Sequence, residues 1–72
     1  MNGKLMKERR RALGMTQMQL AVAVGASSVT QVSNWERGCV VASAAKLRKL
    51  AEVLGVTMEQ LLEEEDEQRW RR

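Results

Sequence analysis

Residues 28–37 read Ser-Val-Thr-Gln-Val-Ser-Asn-Trp-Glu-Arg. Wound at about 100° per residue, they put Val32, Trp35 and Glu36 on one side and Val29, Thr30, Ser33, Asn34 and Arg37 on the other. The second side carries hydroxyls, a carboxamide, an isopropyl group and a guanidinium, and no carboxylate. A carboxamide sets a donor beside an acceptor, a hydroxyl is either, and a guanidinium is a permanent cation with donors only. These are the groups that complement nucleobase edges, thymine methyls and phosphates. An ordinary amphipathic helix has the same wheel, so the surrounding elements must decide between the two.

Other chemistries are poorly served. The chain has no histidine and one cysteine, Cys39. That excludes zinc sites of the Cys/His type, histidine-based acid–base and triad catalysis, and a disulfide within the chain. The expectation is no enzyme, no cofactor and no metal. A lone thiol suits a reducing compartment. No stretch approaches the roughly 18 apolar residues of a membrane span, and no secretory signal opens the chain. These features point to a cytoplasmic protein without a membrane partner. Net charge is +3, unevenly spread. Residues 1–49 hold nine Lys/Arg against Glu8 and Glu36, a net +7, and residues 50–72 hold three Arg against seven acids, a net −4. A basic body with an acidic end is expected to meet a polyanion.

The elements that must position these groups are all helical. There is no proline, the only aromatics are Trp35 and Trp70, and the bulk is Ala, Leu, Val, Met, Glu, Lys, Arg and Gln, which apart from Val favour helix. Starts and stops alternate. Asn2 opens a helix over 3–13 that ends at Gly14. Thr16 opens one over 17–24 that ends at Gly25. Ser27 or Ser28 opens a third, ending near Arg37 with Gly38 as its stop. Ser43 opens 44–54 before Gly55, and Thr57 opens the last at Met58. Apolar residues keep helical spacing at Leu20, Ala21 and Val24, at Leu47, Leu50, Ala51 and Leu54, and at Met58, Leu61 and Leu62. A glycine-stopped helix, a short turn and a second capped helix at 17–37 form a helix-turn-helix, whose second helix enters the major groove.

From about Gly3 to Leu62 the chain resembles the Cro and phage-repressor (lambda-repressor-like, XRE-type) family. The resemblance is carried by Leu13-Gly-Met-Thr-Gln-Met-Gln-Leu-Ala21, Val32-Ser-Asn-Trp-Glu-Arg-Gly38 and Leu47-Arg-Lys-Leu-Ala-Glu-Val-Leu-Gly-Val-Thr-Met-Glu-Gln-Leu-Leu62. It implies an all-α, compact five-helix DNA-binding domain; the domain is placed over 1–66, with a short C-terminal tail over 67–72, and the acidic run at 63–67 is open to three readings: a continuation of the last helix, a disordered tail or a partner-binding element. It implies that Val29, Thr30 and Asn34 read bases, that Ser28 and Ser33 lie nearer the backbone, and that Gln17 touches backbone while supporting the recognition helix. Arg37 and Lys46 complete the DNA-contact set. Arg10 and Glu36 match a family ion pair, so Arg10 is expected to stabilise the fold while Arg9 and Arg11 do not. Met58, Leu61 and Leu62 are expected to form the dimer face. Three departures stand out: the turn Gly25-Ala-Ser-Ser28 is one residue longer than usual, the loop Cys39-Val-Val-Ala-Ser43 lacks the usual basic residues and proline, and Arg9 replaces a common apolar residue.

The functional expectation is a sequence-specific, double-stranded DNA-binding transcriptional regulator. It would act as a Cro-like homodimeric repressor on inverted-repeat half-sites, by occupying a promoter. The alternative is an antitoxin or protein-interaction adaptor on the same fold, holding a protein partner through 58–72 or through Met18 and Val22. The acid-first pairs Glu65–Arg69 and Glu67–Arg71 support continuing the last helix, but each contributes only about 0.2–0.5 kcal/mol, so fraying past about residue 66 is expected.

Overall fold

The computed structural model describes residues 1–63, which fold as α1 (Gly3–Ala12), α2 (Gln17–Val24), α3 (Val29–Glu36), α4 (Ala44–Leu54) and α5 (Met58–Leu62). The described residues form no strand, and none of their helices is long and apolar enough to cross a membrane. The expected boundary at 66/67, the tail and its two acid-first pairs lie outside the described residues.

Local chemistry accounts for the helix starts. Asn2 Oδ1 accepts from Leu5 N at 3.1 Å. Thr16 and Gln19 form a reciprocal capping box, with Gln19 N donating to Thr16 Oγ1 at 3.0 Å and Thr16 N to Gln19 Oε1 at 2.8 Å. Thr57 and Gln60 repeat it at 3.0 and 2.9 Å. Ser43 Oγ takes Lys46 N at 3.4 Å. Each satisfies amides that have no partner inside the helix.

The start of α3 differs from expectation. Ser28 occupies the N-cap position but its side chain makes no capping bond. Gln31 reaches back instead, and its Oε1 accepts from Ser27 N at 3.1 Å and from the Ser27 hydroxyl at 3.4 Å. At the other end, Gly38 N donates to Trp35 O and Cys39 N to Asn34 O, both at 3.0 Å. This paired closure requires a left-handed residue between them, and Gly38 supplies it at φ +75°.

One apolar core joins all five helices: Met6 from α1, Leu20, Ala21 and Val24 from α2, Val32 and Trp35 from α3, Leu47, Leu50 and Leu54 from α4, and Leu61 from α5, with Ala42 from the α3–α4 loop. Helix α2 packs chiefly on α3 and α4, while α1 bridges α3, α4 and α5. Leu61 corrects an expectation. It is fully buried in its own chain and is therefore unavailable to a dimer face. Met58 is half-buried against the core, and Leu62 alone of the three is exposed.

Long-range polar ties fix α1. Asn2 N donates to Leu61 O at 2.7 Å, and Arg9 Nε donates to Leu54 O at 2.9 Å, covering a carbonyl at the end of α4. Gly3 is buried where α1 meets the end of α3. A Cβ there would lie 2.1 Å from Glu36 O and 2.7 Å from Trp35 O, so the close approach of these backbones requires glycine.

Candidate nucleic-acid interface

The wheel of α3 is realised in three dimensions. Val32 and Trp35 enter the core. Thr30 and Arg37 are exposed, and Val29, Ser33 and Asn34 are half-buried at its edge. Ser28 is exposed just ahead of the helix, in the four-residue turn that separates Val24 from Val29. The turn is entered with Gly25 in the left-handed conformation at φ +73°.

Glu36, the only carboxylate between Glu8 and Glu52, is turned away from that face. Arg10 Nε donates to its Oε2 at 2.6 Å and Arg10 Nη2 to its Oε1 at 3.3 Å. The side chains of Arg10 and Glu36 are 9% and 3% exposed. Two further bonds complete the cluster. Arg10 Nη1 donates to Met15 O at 2.7 Å, and Gln17 Nε2 donates to Glu36 Oε1 at 3.0 Å. A bidentate guanidinium–carboxylate pair is strong only when its remaining groups are also satisfied, and no buried side-chain N or O among the described residues lacks a partner. Glu36 therefore joins α1, α2 and α3 and adds no negative charge to the outer face of α3. Gln17, expected to touch DNA backbone and to support α3, is half-buried with its amide donating to Glu36 of α3.

Between α3 and the 39–43 loop lies an open cleft of about 530 Å³, lined by Ser27, Ser28, Thr30, Gln31, Asn34, Trp35, Val40, Val41, Ala42, Ser43 and Lys46. Lys46, from the first turn of α4, shares this cleft with Thr30 and Asn34. The lining contains a cation, amides and hydroxyls but no acid. At its border Arg37 Nη2 donates to Asn34 Oδ1 at 2.7 Å.

Five contributors escaped the sequence reading. Gln31 was detectable through the Ser28-Val-Thr-Gln31 spacing of a capping box, although the bonds form to Ser27. The carbonyl of Met15 and the exposed Val40 and Val41 of the cleft wall carry no signal beyond tertiary placement, and the Arg37–Asn34 bond, between side chains three residues apart, depends on their rotamers. Elsewhere, Met18 and Val22 stand exposed on α2, at 58% and 75%. Cys39 is a free, exposed thiol in the turn after α3.

A family model described as helix-turn-helix matches residues 6–61, running from inside α1 to Leu61. No curated protein and no solved structure matches the chain.

Proposed function

The chain belongs to the Cro/C1-type (XRE) helix-turn-helix family of DNA-binding regulators, and on that premise we propose that it is a sequence-specific homodimeric repressor that lays α3 in the major groove and acts by promoter occupancy. The observation that carries this reading is the acid-free outer face of α3. The one carboxylate of that helix is consumed inside by Arg10 and Gln17. Thr30, Asn34 and the half-buried Val29 are left to face bases, and Ser28, Ser33, Arg37 and Lys46 to meet the backbone on either side. Phosphate contacts set the position of the protein, and base-edge contacts set its sequence preference.

A single α3 reaches only a few base pairs. Two copies related by a two-fold axis read inverted half-sites about 34 Å apart, centre to centre. Leu62, with Met58 beside it, supplies apolar surface for such pairing. Fluorescence-anisotropy titration of short duplexes over a salt series tests the reading. A regulator of this kind shows tighter binding to one inverted repeat than to scrambled DNA, and affinity that falls with salt. Equal affinity for every duplex sinks it.

A further inference from the structure

We propose that the acidic run at 63–67 docks where the end of α3 meets the start of α1, on Arg37 with Lys4 as a second cation, and competes there with the phosphates of DNA. The inference rests on the DNA-binding reading above and adds a regulation of that surface.

The place where α5 releases the chain carries the argument. Helix α5 stops at Leu62, and Glu63 follows with extended backbone, at φ −68° and ψ 137°. Just before that point Leu61 O accepts from Asn2 N at 2.7 Å. The carbonyl of Met1 belongs to the same peptide unit as that amide, and it lies 3.7 Å from where a Cβ on Gly38 would stand. Gly3, next along, packs on the backbone of Glu36. The end of α5, the start of α1 and the end of α3 therefore meet at one junction, and the acidic run begins two residues from it. An extended residue adds about 3.3–3.6 Å, so the four acids after Glu63 have a reach of about 13 Å.

Charge at this junction complements the run, which reads Glu-Glu-Glu-Asp-Glu. Arg37 and Lys4 are exposed. Neither is ion-paired within the described residues, where the one salt bridge joins Arg10 and Glu36. Glu36, the neighbour of Arg37, is consumed inside, and Glu8, one turn along α1 from Lys4, makes no ion pair with it. The bond from Arg37 Nη2 to Asn34 Oδ1 leaves the other guanidinium N–H groups for an anion. Carboxylate and phosphate are held by the same guanidinium fork, so Arg37 cannot serve both at once. A single exposed ion pair is weak, but a link of so few residues holds its acids at an effective concentration of about millimolar order. The same tether favours the run of the chain itself over that of a second copy at micromolar protein.

The test compares four full-length proteins: wild type, a neutral-run variant, Arg37→Gln, and the two combined. The neutral run carries Glu63→Gln, Glu64→Gln, Glu65→Gln, Asp66→Asn and Glu67→Gln. Substitution rather than truncation keeps Arg69, Arg71 and Arg72 in place. Each protein is titrated by fluorescence anisotropy onto one duplex that wild type selects from a random pool. The neutral run should bind about fivefold tighter at low salt, the upper range of one exposed ion pair, and converge with wild type as salt rises. In the Arg37→Gln background the same neutralisation should gain clearly less. No gain in either background overturns the proposal. An equal gain in both also overturns it, since that is repulsion at a distance without docking. NMR spectra without DNA supply the second readout. Neutralising the run should shift the amides of Arg37, Gly38 and Lys4, independently of protein concentration, and leave Met18 and Val22 unmoved. Shifts placed elsewhere, or shifts that grow with concentration as a second copy would cause, overturn it. A chain that binds no duplex with either run overturns the DNA-binding reading instead, and the NMR comparison then still decides the docking.

Discussion

Arg10, Arg9 and Arg11 are three adjacent arginines with three different roles. Arg10 is buried on Glu36, Arg9 closes the end of α4 through Leu54 O, and Arg11 is exposed. Removing one partner of a buried pair strands the other charge, at about 3–5 kcal/mol, a large share of the roughly 5–15 kcal/mol that holds a domain together. Arg10→Met should therefore lower the melting temperature sharply. Adding Glu36→Leu should recover only part of the loss, because Met15 O and the Gln17 amide stay without their partners. Arg9→Met, which sequence alone suggests is harmless, should cost about 1 kcal/mol for one half-exposed hydrogen bond, and Arg11→Met should cost nothing measurable. Thermal melts of the four variants check the series. An Arg10→Met protein that melts like wild type would place Arg10 on the phosphate-binding surface instead.

At the scale of elements, what was legible is what is local. Asn2, Thr16, Ser43 and Thr57 cap the helices they announce, because a cap needs only its own next three residues. The glycines after α2 and α4 stop those helices by the same local logic. What was hidden depends on tertiary approach. Nothing near Gly3 in sequence reveals that the backbone of Glu36 lies against it. Leu61 and Leu62 are both leucines in a five-residue helix, and only the packing of α5 on its neighbours turns the first into the core and leaves the second outside. The polar outer face of α3 was legible because its partition follows from helical period, whereas the bond between Asn34 and Arg37 depends on rotamers. Gly3→Ala should force α1 away from the end of α3, at the roughly 1–3 kcal/mol typical of overpacking, and the cost should show in denaturant unfolding. Thr57→Ala should cost about 0.5–2 kcal/mol by opening the α5 cap, measured the same way.

Among the described residues, charge and apolar surface mark out three regions that bear on partners. The acid-free face of α3 and the Lys46 cleft form one, the exposed Met18 and Val22 of α2 a second, and Leu62 of α5 a third. In a homodimer joined through α5, Leu62→Glu should yield a folded monomer in sedimentation experiments, with weaker binding to an inverted repeat. Leu61→Glu should instead unfold the chain by burying a carboxylate. A Leu62→Glu protein that remains dimeric would move the interface elsewhere.

If the outer face of α3 is the surface that meets DNA, titrating the isotopically labelled chain with the duplex it selects should show it amide by amide in NMR spectra. The largest shifts should fall on residues 28–37 and around Lys46, while the amides of Met18 and Val22 and of Lys7 and Arg11 on α1 stay nearly still. Shifts concentrated on α2 or α1, with residues 28–37 unmoved, would contradict it.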